Sequence, residues 1–189
     1  MALPEPARYC PRCGTALEGV PSACPRDGYR WFPDPKVAVG VLIVDGAHEA
    51  PETPEMHRDH LLLVRRNHDP ALGAWAFPSG FVDAGEVLEE AAVREVREEA
   101  NVDVALDALL GAWSDPGNPV VFLAYAGHLV SGTPAPGDEA SEVAWFAADA
   151  LPPLAFAHDD EIVAAWLEGR RGLPRLGSHE TPAGREGAV

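Results

Sequence analysis

A single lysine, Lys36, occurs in this chain of 189 residues; the rest of its 14 basic residues are arginines. Basic residues of either kind are scarce beside 30 acidic ones, and the net charge of −16 argues against non-specific attachment to nucleic acid or to an anionic membrane. A phosphate-bearing substrate therefore needs local help from arginines or bound cations. Long apolar runs are also missing: the longest, Val37 to Val44, is too short to span a bilayer. The opening Met-Ala-Leu-Pro-Glu-Pro has neither the charged start nor the apolar stretch of a signal peptide, so a cytoplasmic setting is expected. Cysteine is confined to Cys10, Cys13 and Cys24. An odd number of closely spaced thiols speaks against a disulfide framework and for a metal site.

The cysteines lie in a repeat. Cys10-Pro-Arg-Cys13-Gly14 recurs as Cys24-Pro-Arg-Asp27-Gly28, and each copy looks like a zinc knuckle, a tight turn whose glycine lets the backbone fold around two ligands. Asp27 stands where a fourth cysteine would be expected. Carboxylate oxygen binds zinc at about 2.0–2.2 Å, so a Cys₃Asp site is chemically feasible, though weaker than Cys₄. The alternative is a ribbon that has lost its metal and persists as packed turns. Residues 8–31 form this zinc-ribbon-like module, Phe32-Pro33-Asp34-Pro35 a stiff joint, and 36–169 the main domain. Residues 172–189, dominated by Gly, Pro and charge, are expected to be a disordered tail.

Within the main domain, Lys36–Val44 is a β-branched run, read as a strand buried on both faces. Asp45–His60 reads as an exposed loop whose histidines, His48, His57 and His60, lack tight ligand spacing. Further strands are expected at Leu61–Arg65, Trp75–Phe77, Val102–Ala105, Leu109–Trp113, Val120–Val130 and Val143–Phe146. Helices are expected at Val87–Ala100 and His158–Gly169, the second with Ile162, Ala165 and Trp166 on one face. Mixed strands with one helix after a glycine-bracketed loop and one at the end suggest an α/β/α sandwich with a mixed sheet.

The acids of the first helix carry the chemistry. Glu95, Glu98 and Glu99 fall within an arc of roughly 100°, while Ala92, Val93, Val96 and Ala100 occupy the neighbouring arc that faces a core. Carboxylates crowded on one face repel each other unless a cation sits among them, and such oxygen-rich clusters suit Mg²⁺ or Mn²⁺. A solvated acidic face with pairs such as Glu90 with Arg94 is the plainer alternative.

From Gly80 to Val102 the pattern Gly-x5-Glu-x7-Arg-Glu-Val-Arg-Glu-Glu-Ala-Asn-Val resembles the Nudix box at every fixed position but one. The departure is Asn101 in place of glycine, the next-best residue for the left-handed turn that ends the helix. The resemblance covers about residues 36 to 169. It implies a Nudix hydrolase that uses Mg²⁺ or Mn²⁺ and water to split the diphosphate of a nucleoside diphosphate linked to another group. It makes Glu98 and Glu99 metal ligands with the Gly80 carbonyl, Glu95 a further ligand or the base that orients water, and Arg94 the partner of Glu86. A further acid from a distant loop is expected at Glu139, with Glu142 behind it. Arg65 or Arg66 is expected to hold a terminal phosphate by bidentate bonds. Trp75, Phe81, Trp113 and Tyr125 are candidates to stack on a base.

With the ribbon included, the order of modules is similar to ADP-ribose and dinucleotide pyrophosphatases, and the Pro-Gly-Asp-Glu139-x-x-Glu142 segment, the Trp-Phe strand and Leu-Ala-Phe at 154–156 resemble those of ADP-ribose/FAD pyrophosphatases, which places ADP-ribose and FAD first. NADH ranks below them, because the Ser-Gln-Pro-Trp-Pro-Phe-Pro-type motif of ribbon-bearing NADH pyrophosphatases is replaced by Gly111-Ala-Trp-Ser-Asp-Pro-Gly-Asn. A nucleoside diphosphate-sugar pyrophosphatase and a non-catalytic nucleotide-binding module are the alternatives. The expected partner is a nucleotide, not nucleic acid or membrane, and a homodimer is compatible with this reading.

Overall fold

The computed structural model describes residues 8–18, 22–32, 34–45 and 60–169. The expected tail lies outside these residues, as do His48, His57 and most of the loop that contains them. In the ribbon, β1 (Ser22–Ala23) and β2 (Arg30–Trp31) pair antiparallel, and Tyr9 bridges Ala16. The two knuckles close alike: Gly14 N–H donates to the Cys10 carbonyl and Gly28 N–H to that of Cys24, both at 2.9 Å. Both glycines sit at φ 71, where a side chain would be strained.

The main domain is built on β3 (Lys36–Val44), which runs parallel to β8 (Val120–Ser131) and antiparallel to β4 (His60–Arg66) and the short β6 (Ser79–Phe81). β5 (Trp75–Ala76) and β9 (Ala140–Ala147) pair with β4, and β7 (Asp103–Trp113) flanks β8. Side chains alternate along β3 between two cores. Ala38 and Leu42 join Phe122, Ile162 and Ala165 beneath α2 (Ala157–Leu167). Val39, Val41 and Ile43 join Ala92, Val96 and Ala100 of α1 (Leu88–Ala100) on the opposite face. This is the expected α/β/α sandwich, with each fully buried Val, Leu or Ile contributing about 1.5–3 kcal/mol. α1 stops at Asn101, which takes the left-handed conformation (φ 56, ψ 34) and donates its N–H to the Arg97 carbonyl.

Two expectations are corrected. Val102–Ala105 and Leu109–Trp113 are parts of one strand, because bulges between Leu106 and Ala108 and between Leu109 and Gly111 absorb the break in alternation without ending the pairing with β8. Asp107, which interrupts the apolar pattern, lies 2.9 Å from His128 of β8. In addition, Gly80 and Phe81, at the start of the glycine-bracketed loop, join Ser79 in β6, which pairs with Ala38–Gly40. That pairing fixes where the loop into α1 begins.

Candidate active site

The loop after β6 is held by its own acid. Asp83 N–H donates to Glu86 Oε2 at 3.0 Å, and Arg94, two turns into α1, grips Glu86 with two bonds (Nε to Oε1 2.8 Å, Nη2 to Oε2 2.9 Å). The guanidinium also reaches Glu95 Oε1 at 2.7 Å, Glu98 Oε2 at 3.0 Å and the Phe81 carbonyl at 3.1 Å. Bonds to Arg94 and to the loop backbone hold the Glu86 carboxyl at about 2, and the three glutamates in turn push Arg94 upward. Arg94 is thus the hub that orients Glu86, Glu95 and Glu98.

Glu99 and Glu95 are buried acids. Glu99 is 2% exposed, and its Oε2 accepts the Ser79 N–H at 2.9 Å. Loss of hydration raises its pKa to about 8, against the Ser79 bond and with the Glu95 charge adding to the rise. Burial likewise raises Glu95, with Arg94 opposing. Glu95 lies against Gly80: a Cβ there would fall inside its carboxylate, so this position demands glycine for space.

The distant acid is delivered by a splice onto the end of α1. Ala135 N–H donates to the Ala100 carbonyl and Gly137 N–H to that of Glu99, each at 3.0 Å, and Asn101 Nδ2 donates to the Ala135 carbonyl at 3.1 Å. Gly137 packs so closely on the Glu98 carbonyl that a side chain would collide with it. Glu139 follows directly; its carboxylate lies 3.7 Å from His68 Nε2, and its charge adds to the rise at both Glu95 and Glu99.

Arg94, Glu95, Glu98, Glu99 and Glu139 line one open cleft of about 1140 Å³, together with Arg66, Gly80, Phe81, Phe122, Phe156 and His158. Of the two candidate arginines, Arg66 is in the cleft wall, 7% exposed, anchored by Nε on the Pro70 carbonyl at 2.8 Å and by Nη2 on His68 at 2.7 Å. Arg65 is not among the cleft residues. It spans from the Gly73 carbonyl (2.9 Å) to Glu142 (2.8 Å), its cross-strand neighbour on β9, and so takes Glu142 away from the acid cluster too. Alternation along β4 sends adjacent arginines to opposite faces.

Three of the four aromatic candidates are core residues. Trp75 packs edge-on against Phe146 at 4.8 Å, Trp113 is 8% exposed with its indole N–H on Glu161, and Tyr125 is buried with its hydroxyl on Glu89. Phe81 alone of the four lines the cleft and is exposed. Sequence reasoning missed Phe122, Phe156 and His158 as cleft residues, and Asp159 behind them. Only Phe156 belongs to a segment singled out in the sequence, Leu-Ala-Phe at 154–156, and nothing there assigns it to the cleft; the residues converge because β8 and the start of α2 meet at the cleft. Asp159 is 2% exposed, its Oδ2 accepts the Phe156 N–H at 3.0 Å, and burial raises its pKa to about 7.

In the ribbon, one ligand atom each from Cys10, Cys13, Cys24 and Asp27 lies within 4.8 Å of the others. Cys13 and Cys24 sulfurs are 3.5 Å apart, and Cys10 Sγ is 3.6 Å from Asp27 Oδ2. Ligands about 2.0–2.3 Å from a tetrahedral zinc would be separated by roughly 3.3–3.8 Å, a spacing that these two pairs have. The Tyr29 N–H holds the Asp27 carboxyl at about 2, ionised at neutral pH.

The sequence matches the NUDIX domain over residues 34–167, and the chain belongs to the Nudix family of hydrolases. It is 34% identical over 149 residues to the ADP-ribose pyrophosphatase of Methanocaldococcus jannaschii, covering 76% of this chain and 80% of that one. It is also 34% identical over 152 residues to the NAD-capped RNA hydrolase NudC of Pseudomonas aeruginosa, covering 78% of this chain but 50% of that protein. The match thus spans half the length of that second relative. The crystal structure of a NUDIX hydrolase from Nitrosomonas europaea superposes with a TM-score of 0.72 at 26% identity, over 89% of this chain and 97% of that one.

Proposed function

We propose that this hydrolase splits the diphosphate of ADP-ribose, giving AMP and ribose 5-phosphate, with FAD (to AMP and FMN) as the next substrate in rank. The observation that carries this reading is the convergence of Glu95, Glu98, Glu99 and Glu139 on one cleft wall with Arg66 beside them. The first-ranked substrate agrees with the activity named for the Methanocaldococcus relative.

The donor set fits hard cations. Glu98 and Glu99, with the Gly80 carbonyl, would hold Mg²⁺ or Mn²⁺, and Glu95 is a further ligand or the base that orients water. Buried like charges that raise Glu95 and Glu99 are stabilised by a cation and poorly tolerated without one. When bound, such ions neutralise the diphosphate oxygens and acidify water. Arg94 keeps Glu95, Glu98 and Glu86 in fixed orientation, and the Ser79 N–H does the same for Glu99. Glu139, brought in by the segment joined to the end of α1, is a proton acceptor or ligand. Arg66, its Nε and Nη2 already anchored, turns its remaining edge to a phosphate. The attacking oxygen bonds to one phosphorus, the bridging oxygen leaves with the other, and the released proton passes to a carboxylate.

The ribbon is proposed to hold one structural zinc through Cys10, Cys13, Cys24 and Asp27. Free thiols of this kind suit a reducing, cytoplasmic setting, and no helix among the described residues is long and apolar enough to cross a membrane. A second reading, removal of a nicotinamide-containing cap from RNA, is favoured by the NudC relative, while the net charge of −16 opposes it. A panel of ADP-ribose, FAD, NADH, nucleoside diphosphate-sugars and NAD-capped RNA, with Mg²⁺ or Mn²⁺ and chromatographic identification of products, tests both. ADP-ribose is expected to have the highest kcat/KM; no turnover of any member would leave a binding module.

A further inference from the structure

Arginines at the cleft are held in two ways. Arg94 is bonded to Glu86, Glu95 and Glu98, and Arg97 to Asp103, so the groups that orient them also cancel their charge. Arg66 is oriented by neutral acceptors instead. Its Nε–H donates to the Pro70 carbonyl at 2.8 Å, and its Nη2 lies 2.7 Å from His68 Nε2. The Phe156 ring covers one face of the guanidinium, with its centroid at 5.3 Å.

Both anchors belong to a turn that Arg66 itself closes. Its N–H donates to the Ala74 carbonyl at 3.0 Å and its carbonyl accepts the Gly73 N–H at 2.8 Å, which folds the turn back over the end of β4. His68 is in turn fixed through its other nitrogen. Asn67 Nδ2 donates to the Asp138 carbonyl at 2.7 Å, and this turns Asn67 Oδ1 toward the ring, 3.3 Å from His68 Nδ1. A guanidinium carries donors only. His68 Nε2 is therefore the acceptor, and Nδ1 carries the ring proton and donates it to Asn67. Glu139 Oε2 stands 3.7 Å from the same Nε2, but an unprotonated nitrogen offers a carboxylate no hydrogen bond.

We propose that His68 is a positioning residue for Arg66: its neutral imidazole, held as the Nδ1–H tautomer, aims the guanidinium at the substrate diphosphate without cancelling its charge. This rests on the phosphate-binding role given to Arg66 above and deepens it. With Nε and one side of Nη2 anchored, the outer edge of the guanidinium is left for bidentate bonds to phosphate. A carboxylate in place of His68 would hold Arg66 as firmly but spend its charge. In a chain of net charge −16, that charge matters for drawing in an anionic substrate.

The test uses the full chain with Mg²⁺ and the variants His68→Leu, His68→Gln and His68→Glu. In His68→Leu, KM for ADP-ribose and the inhibition constant of α,β-methylene-ADP, a diphosphate that cannot be split, should both rise about tenfold, on the scale of one lost hydrogen bond to a charged group. kcat should stay within about threefold, because the helix acids are untouched. His68→Gln, whose Oε1 accepts in place of Nε2, should recover most of the loss, whereas His68→Glu should not. With Arg66→Met in the background, His68→Leu should add less than about twofold. Unchanged constants in His68→Leu, a loss confined to kcat, equal behaviour of the Gln and Glu variants, or a full tenfold effect in the Arg66→Met background overturns the proposal. Failure of wild type to turn over ADP-ribose would instead strike the substrate reading. Imidazole nitrogen NMR at about pH 8, where imidazole is neutral, still decides the role of His68: a proton on Nδ1 and an Nε2 resonance that moves in Arg66→Met are expected, and a proton on Nε2 overturns it.

Discussion

Gly80→Ala adds one methyl group to the protein, at the point where the Glu95 carboxylate now lies. The backbone there tolerates it: Gly80 is not among the positive-φ glycines and sits in a regular β6–β3 register opposite Val39. The collision must therefore be relieved by Glu95, whose side chain is 11% exposed and bonded to Arg94 at 2.7 Å. Turning it out breaks a charge-assisted bond of about 1.5–3 kcal/mol, but it also rehydrates a carboxylate that burial disfavours. The two terms oppose, so the net stability change should be within about 1 kcal/mol, measurable by urea unfolding. Activity has no such compensation. Misplacing a carboxylate at the proposed metal and water site should lower kcat by about a hundred- to a thousandfold, equivalent to about 3–4 kcal/mol. If the loss runs through Glu95, Gly80→Ala and Glu95→Gln should be strongly non-additive in a double-mutant cycle. Turnover of Gly80→Ala within about threefold of wild type, with unchanged metal dependence, would refute the reasoning.

Three further outcomes are expected. Glu99→Gln keeps the shape but removes the buried charge of a proposed metal ligand and should cost about a thousandfold in turnover, whereas Glu90→Gln, exposed on another arc of α1, should cost less than about fivefold; similar losses in steady-state assays would contradict the facial division. Asp159 ionises at about 7 when folded against a reference of 3.8, so its stabilising contribution is full below pH 3.8 and is lost as pH rises through 7. Asp159→Asn, which keeps an acceptor for the Phe156 N–H, should therefore gain on wild type across that window by up to about 4 kcal/mol, and unfolding curves whose difference does not change with pH would dismiss it. Asp27→Cys should tighten zinc retention against a chelator without altering the substrate profile; less than about a tenth of a zinc per wild-type chain by elemental analysis would mean that packing alone holds the ribbon.

What was legible in the sequence followed short-range periodicity. The 3.6-residue spacing of Ala92, Val96 and Ala100 against Glu95 and Glu99 gives α1 and its two faces, and the β-branched run gives β3. Asn101 could be assigned its turn because so few residue types tolerate it. The choice between Arg65 and Arg66 was not legible. It depends on which face of β4 looks toward α1, and that is set by pairing with β9, far along the chain. The same holds for Trp75, Trp113 and Tyr125, whose composition suits a core and a binding wall equally until the two sheet faces are assigned. Phe122, Phe156 and His158 share no motif, so only the docking of α2 brings them into the cleft.

The splice of Ala135 and Gly137 onto the last carbonyls of α1 has a consequence for how this chain can change. Glu139 takes its position from the helix end and from Asn67, whose N–H and Nδ2 donate to the Glu139 and Asp138 carbonyls, rather than from β7 and β8. The β7–β8 hairpin and its Asp115–Asn118 turn can therefore lengthen, shorten or accept a graft without disturbing the acid. The β7–β8 turn becomes a place where new recognition surface can be added, while the acid stays anchored to the helix terminus and to Asn67.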